Sequence, residues 1–412
     1  MKVHDISIFE KTRLIIAIIM SMFISCLFYG MALGLWGFTS DSPEHILSAS
    51  QLEGYGLEAL LFYYISRFAE YPFLQLLFAA YETILVMLTW MTCQRFIGKY
   101  FDINRWLNLA ISTGLIFLTS IYIPRYAPWF YRFSLGTQPW HNSTQLGMRL
   151  GAVYFMYYFL EVYPDCQKKI TIKSWLKMAI TLMITTMFKP NFLMTFCVAL
   201  CIALIIEQIK NRKKYIFRRN ATLGSILLPA LTVLGFQYLL IYVRGNTESS
   251  SGIQIVFFSD LLWEGSIQHM IIKFGRDLAF PVLVWGITEL YSRRNNDQLR
   301  RYFGDNMKNL NFMILLYISA IIIFSVFKES GPRANHGNFA WSLSVAYFAL
   351  FLYYVPFFTQ SLQIYRKNYW VNGNRSIIMD VFFASGSLVL LMYFISAMCY
   401  FFSMVAGNSF YR

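Results

Sequence analysis

Ionisable and hydrogen-bonding side chains collect in a few short segments of this chain, and each segment lies between long apolar stretches. These segments are residues 37–70, 124–143, 244–276 and 328–337. Four of the five histidines fall in them: His45, His141, His269 and His336. A protein that served only as a membrane anchor would not need these ionisable side chains. The pattern therefore indicates a site on the face of the molecule where these segments emerge.

The first segment brings Asp41, Glu44 and His45 close together in sequence, directly after an apolar run. A carboxylate placed there can accept the proton that a sugar hydroxyl loses when it attacks an anomeric carbon. The same Ser-Asp-Ser-Pro-Glu pattern also predicts a helix start, with Ser or Asp as cap and Pro in the first turn. Both roles stay open for Asp41. Three further acids of the segment are predicted to lie on solvated faces: Glu53, Glu58 and Glu70.

Two cationic residues belong to apolar runs, one at the end of a run and one inside a run. Lys189 precedes Pro190, and a lysine at that depth either meets an anion such as a lipid-linked phosphate or extends to the interface. Arg149 lies inside an apolar run and is predicted to face a polar cavity. Trp140, His141 and Asn142 lead into that run, and a Trp–His pair suits a sugar ring. The neighbouring aromatics are interpreted as an interfacial belt: Trp129, Phe130 and Tyr131.

The most specific segment runs from Glu329 to Trp341 and mixes an acid, a base, a histidine and two asparagines with two glycines and a proline. Arg333 can clamp phosphate oxygens, while Glu329, His336 and Asn338 supply hydrogen bonds. Walker A, Rossmann and HExxH patterns and zinc-type Cys/His spacing are missing from the sequence, so no metal and no cofactor are predicted.

The composition places these segments in a membrane protein. Apolar residues make up 57% of the 412 residues and charged residues only 14%, about half the charged share of a soluble domain. The net charge of +14 comes from short clusters between apolar runs, which excludes a nucleic-acid binder and indicates contact with anionic lipid. The six cysteines lie outside the polar segments, so a disulfide scaffold is excluded as well.

The predicted fold is all-α, a polytopic membrane domain over residues 1–412 with about eleven spans of roughly 20 residues each. The predicted spans are 14–36, 71–93, 106–123, 144–163, 174–188, 191–207, 221–243, 277–291, 310–327, 338–358 and 376–406. The fifth and sixth are short and form a tight hairpin. An interfacial helix is predicted from Leu57 to Tyr71, and a second interfacial segment over 244–276.

The positions of lysine and arginine predict the orientation. The segments 1–13, 94–105, 164–177, 208–220, 292–309 and 359–375 hold 24 of the 35 basic residues. Basic loops resist translocation, so these segments are predicted to be cytoplasmic, together with the N-terminus. The histidine-bearing segments then face outside.

These residues resemble the GT-C class of integral-membrane glycosyltransferases of bacterial type. The resemblance is carried by an acid just outside the first helix, a long first outer loop, the Lys-Pro hairpin and the late Arg/His/Asn segment. It implies a polyprenyl-phosphate-linked sugar donor, a cell-envelope glycan or lipid-linked acceptor, and inversion on the outer face of the bacterial cytoplasmic membrane. It further implies Asp41 as base and Lys189, Arg333 and His336 as donor-phosphate ligands. A paired-acid motif of some members is replaced here by Asp41 and Glu44.

Two other functions remain open. A polymerase or ligase of lipid-linked polysaccharide units would concentrate its chemistry in one large late outer loop. A flippase or transporter would place charges at mid-membrane, where the sequence offers only Glu82 and Glu161, in or near the inner halves of spans.

The first prediction concerns Asp41. Asp41→Asn keeps the side-chain size and removes the base, so transfer from polyprenyl-phosphate sugars should fall by several orders of magnitude while the protein stays folded. Purified wild type and variant are compared on a donor panel. Unchanged turnover would reduce Asp41 to a helix cap.

Overall fold

The computed structural model describes residues 3–34, 42–51, 56–121, 140, 142–165, 169–240, 252–257, 267–294, 298–331, 338–372 and 376–405. These residues are almost entirely helical. The first half contains α1 (Val3–Ala32), α2 (Ser42–Ser50), α3 (Leu57–Ile65), α4 (Tyr71–Tyr100), α5 (Arg105–Ile116), α6 (Ser143–Val162), α7 (Ile172–Phe188) and α8 (Asn191–Lys210). The second half contains α9 (Lys214–Ser225), α10 (Leu227–Tyr238), α11 (Ile267–Arg294), α12 (Gln298–Val326), α13 (Ala340–Asn372) and α14 (Ile377–Val405).

Within the described residues, seven helical segments are long and apolar enough to cross a membrane. They are Ile8–Ala32, Tyr71–Tyr100, Asn191–Lys210, Lys214–Tyr238, Gln298–Val326, Ala340–Tyr369 and Ile377–Phe402. A helix satisfies its own backbone polar groups, which lipid cannot do, so apolar runs of this length adopt it. The chain is therefore a helical, multi-pass membrane protein, as its composition predicts.

The four other predicted spans also contain helices, but these are shorter or more polar. The span predicted at 106–123 is helical only over α5, whose 12 residues reach about 18 Å of the ~30 Å hydrocarbon core. Helix α7 has 17 residues and meets α8 through Lys189 and Pro190 alone, so the predicted tight hairpin is present. Helices α6 and α11 carry charged residues within their apolar faces.

Helix α13 lies at the centre of the bundle and is the most buried of the candidate spans. It packs against α4, α5, α6, α8, α11 and α12. Because this helix begins at Ala340, it brings the described residues just before it, Asn338 and Phe339, to the middle of one end of the bundle.

Helix α6 is held tightly at both ends. Near its start, a Cβ on Gly147 would lie 2.2 Å from Phe188 and one on Gly151 would lie 2.3 Å from Thr185, so α7 approaches as closely as a glycine allows. At its far end Arg219 donates to the carbonyls of Val162 and Tyr163, at 3.0 and 2.8 Å. These contacts leave α6 little freedom to slide against its neighbours.

The arginine at that far end belongs to a buried ionic cluster. The Arg219 guanidinium lies 2.9 Å from the Glu207 carboxylate, and Lys308 lies 2.6 Å from the other oxygen of Glu207. Each charge therefore has a partner, as a buried ion requires.

The polar segments contain more structure than predicted. In residues 37–70, α2 and α3 pack on each other, and α3 lies within the predicted interfacial helix. In residues 244–276 the structure describes 252–257 and the first turns of α11 from Ile267, and it adds a strand that was not predicted. There β1 (Gly252–Ile255) pairs antiparallel with β2 (Phe327–Ser330). β-Branched Ile253 and Ile255 favour a strand, and β2 supplies the partner that the local sequence does not show.

The close approach of α6 and α7 predicts opposite effects for two substitutions. Gly235→Ala, in open space on α10, should raise Tm because alanine is the better helix former by about 0.5–1 kcal/mol. Gly151→Ala should lower Tm, because overpacking against the Thr185 side chain costs about 1–3 kcal/mol. Thermal unfolding in one detergent measures both. A rise at Gly151 would contradict the close packing.

Candidate functional site

Several helix ends meet at one end of the bundle, and polar contacts join them. The Gln75 amide of α4 donates to the last carbonyl of α1, on Ala32, at 2.7 Å. The Asn191 amide at the start of α8 donates to the Asn338 carbonyl at 2.7 Å and to Ser342 of α13 at 3.3 Å. The starts of α4, α8 and α13 and the end of α1 are thereby fixed around one polar cluster.

Asn142 connects the largest number of these elements. It is the N-cap of α6, and its Oδ1 accepts from the Gln145 N–H at 3.2 Å. The same oxygen accepts from Thr144 and, at 3.4 Å, from the Lys189 ammonium. Its Nδ2 faces His45 Nε2 of α2 at 3.1 Å. One side chain thus joins α2, the start of α6 and the turn between α7 and α8.

The cap determines the hydrogen-bonding state of His45. Because Asn142 Oδ1 accepts from the α6 backbone, its Nδ2 must be the donor to His45 Nε2. The imidazole proton then lies on Nδ1, which is 3.1 Å from Glu58 Oε1. Ser143 donates to the same Glu58 oxygen at 2.6 Å. His45 and Glu58, both in the first outer segment, are therefore held against the first turn of α6.

Two acids in this cluster correct the sequence analysis. Glu58, predicted on a solvated face, is only 2% exposed. Glu82, assigned to the inner half of a span, is fully buried and accepts from Ser42 of α2 at 3.1 Å. It also lies within electrostatic range of Glu58. Among the described residues, the second oxygen of each carboxylate has no hydrogen-bond partner.

The local sequence hides the burial of Glu58 but not that of Glu82. Glu58 begins an apolar helical run, so its local pattern matches an interfacial helix with one polar face. Its burial follows from contacts of α3 with the neighbouring α2 and with α7, which is distant in sequence. The signal for Glu82 was present, because an acid inside an apolar span is costly unless it has a role.

Lys189 is the buried cation of the cluster, with 9% exposure at the C-cap of α7. Its ammonium lies 3.3 Å from Thr144 and 4.8 Å from the Trp341 ring of α13. The Lys189 side chain therefore points into the end of the bundle and does not extend to the membrane interface.

The late polar segment joins the cluster through its two described ends. Asn338 donates to Glu329 of β2 at 2.7 Å, and Asn191 donates to the Asn338 carbonyl. Glu329 and Asn338, predicted together from sequence, are in direct contact. Arg333 and His336 lie outside the described residues, as do Asp41 and His141.

The remaining predicted site residues take different positions. Glu44 is exposed in the first turn of α2. Trp140 is buried in the core, with Phe28, Phe117 and Phe401 at ring distances of 5.6–5.9 Å. Arg149 is buried in α6 beneath the cluster, over Phe348 of α13.

The arrangement combines two chemical capacities. Glu58 offers a carboxylate oxygen that has no described hydrogen bond and can accept a proton, and Lys189 supplies a cation at the same bundle end. Within the described ranges, no three His, Cys, Asp or Glu side chains come together as metal ligands. No family model matches the chain, and neither a curated protein nor a solved structure shows significant similarity to it.

The connections of Asn142 predict an unequal pair of cap substitutions. Asn104→Ala removes one exposed cap bond of α5, to the Trp106 N–H, and should cost about 1 kcal/mol. Asn142→Ala removes a cap and also the hydrogen bonds that join Asn142 to His45 and Lys189, so it should cost about 2–4 kcal/mol. Chemical or thermal unfolding of the two variants tests this. Equal losses would mean that Asn142 acts as a cap alone.

Proposed function

We propose that this chain is a membrane glycosyltransferase that moves a sugar from a polyprenyl-phosphate-linked donor to a cell-envelope glycan or lipid-linked acceptor. In this proposal eleven helical segments enter the membrane, the N-terminus is cytoplasmic and the cluster faces outside. The observation that carries the proposal is the meeting of buried carboxylates, a histidine and a buried lysine at one end of the bundle. Such a transfer needs both a proton acceptor and an anion-binding group.

The distribution of charge supports the orientation. The helix ends opposite the cluster carry basic residues, such as Lys99 in the last turn of α4 and Lys210 in the last turn of α8. Basic ends remain in the cytoplasm. The cluster then opens toward the outer leaflet, where a lipid-linked donor presents its head group.

In the proposed reaction the cation stabilises the leaving phosphate and the carboxylate accepts the hydroxyl proton. The acceptor hydroxyl oxygen bonds to the anomeric carbon from the face opposite the donor phosphate. The bond between that carbon and the phosphate oxygen breaks, and polyprenyl phosphate leaves with the electron pair. Lys189 stabilises the charge on the leaving phosphate, with Arg333 and His336 as the further ligands that the resemblance implies.

The hydroxyl proton passes to a carboxylate. The resemblance implies Asp41, and we add Glu58 as a candidate because one of its oxygens has no described hydrogen-bond partner. His45 and Ser143 hold the other oxygen of Glu58 and orient the carboxyl group.

A lipid-linked sugar transporter is the second candidate, and one observation favours it. Asp277 of α11 is fully buried within the bundle and lies 2.9 Å from Arg276. A buried acid–base pair inside a span is typical of ion-coupled transport. Transport without covalent transfer in proteoliposomes would select this alternative, and joining of oligosaccharide units would select a polymerase or ligase.

The test compares two acids of the first outer segment. Glu58→Gln removes the proton acceptor and should lower transfer by about 10²–10⁴-fold. Glu70→Gln, at an exposed site before α4, should leave transfer unchanged. Both are measured on polyprenyl-phosphate sugars with release of polyprenyl phosphate as readout. If no donor supports transfer by the wild type, the transferase proposal fails.

A further inference from the structure

Arg149 is a buried cation without a counter-ion among the described residues. It is 3% exposed, in the second turn of α6, where this helix packs between α4 and α13. Its Nε has no hydrogen-bond partner in the described part of the chain. Its titratable neighbour there is the Cys93 thiol of α4, which is not a counter-ion at neutral pH.

The other buried arginine that anchors α6 shows what a structural role requires. Arg219 lies 2.9 Å from Glu207 and donates to two carbonyls at the end of α6. An unpaired charge in the same apolar surroundings is strongly unfavourable, because desolvation is not offset. Packing does not need a guanidinium at Arg149, since an apolar side chain of similar length would fill the same space.

Other polar side chains lie near Arg149 where α6 packs against α13. Gln145 lies one turn earlier on α6, donates to Ser344 of α13 at 2.7 Å, and leaves its Oε1 without a described partner. The Arg149 guanidinium lies 4.4 Å from the Phe348 ring centre on α13. A donor atom of Arg149 and an acceptor atom of Gln145, one turn apart on α6, therefore both lack a described partner.

Lys189 and Arg149 share one geometric pattern. Lys189 lies over Trp341 and Arg149 over Phe348, which are seven residues apart on α13. Seven residues are two helical turns, about 10 Å along the axis. The aromatic face of α13 therefore holds two buried cations in a row, one at the mouth of the cluster and one deeper.

We propose that Arg149 is an oxyanion subsite that binds a phosphoryl group of the substrate below Lys189, with Gln145 accepting from a hydroxyl beside it. Guanidinium groups bind phosphate oxygens through two parallel hydrogen bonds, and burial strengthens them. The inference rests on the proposed function for the identity of the ligand, because a phosphate-linked lipid supplies both the anion and its anchoring tail.

The experiment measures ligand binding rather than transfer. Full-length protein in zwitterionic nanodiscs is titrated with a short-chain polyprenyl phosphate and with the matched uncharged polyprenol, and tryptophan fluorescence reports Kd. Arg149→Met should weaken polyprenyl phosphate binding by at least about tenfold and leave polyprenol unaffected. Arg219→Met, which removes the other buried arginine at the opposite end of α6, should keep polyprenyl phosphate binding within about threefold.

Stability provides an independent readout. Arg149→Met removes an unpaired charge, so its Tm should equal or exceed that of the wild type. Arg219→Met breaks a paired charge and should lower Tm while leaving phosphate affinity unchanged. Equal affinity of wild type and Arg149→Met for polyprenyl phosphate would overturn the subsite. A fall in Tm at Arg149 as large as that at Arg219 would overturn it too.

Inorganic phosphate identifies the source of the anion. Displacement of polyprenyl phosphate by millimolar phosphate, lost in Arg149→Met, supports recognition of the phosphoryl group by itself. Failure to displace, with the Arg149 effect intact, supports the lipid-linked form. Arg149-dependent binding without any transfer keeps the subsite and rejects the transferase. Transfer by the wild type, together with equal phosphate binding by Arg149→Met, keeps the transferase and rejects the subsite.

Discussion

A helix that begins inside an apolar bundle needs acceptors for its first amide protons, and at the start of α6 the Asn142 side chain accepts from the Gln145 N–H. This bond determines which way the amide faces, so the amide nitrogen must donate to His45. His45 then donates to Glu58, and Lys189 donates to the oxygen that caps the helix. The positions of the candidate base and of the candidate phosphate ligand both depend on this one amide.

Because α6 is rigid, the Asn142 amide at its start holds the candidate base and the candidate phosphate ligand in place. Gly147 and Gly151 bring α7 into close contact near one end, and Arg219 binds the final carbonyls at the other. A helix fixed at both ends cannot shift to relieve strain at its polar face. Gln145 and Arg149 on that face therefore keep their unpaired atoms inside the bundle, where an incoming ligand is the natural partner.

The two ends of the bundle differ in how their charged side chains are paired. At the basic end, Glu207 pairs with both Arg219 and Lys308, and the result is a structural clamp. At the other end, carboxylates and cations lie close together, but some of their atoms have no partner among the described residues. Low dielectric makes unpaired groups costly, so they persist where function offsets the cost. This difference is the physical basis for placing the site at the end formed by α2, α3 and the start of α6.

Local sequence determined the helical membrane class, the approximate helix positions and the cluster of polar segments, because apolar length and the placement of basic residues are properties of the chain itself. It also identified Asn142, Arg149, Lys189, Glu329 and Asn338 as residues of interest. Only the tertiary structure decided that Glu58 and Glu82 are buried beside His45, that 252–255 is a strand and that Arg149 has no described counter-ion. Burial and pairing depend on elements distant in sequence, such as α2 against α4 and β1 against β2. A local pattern records which side chains are polar, but the partners that surround them are set by packing.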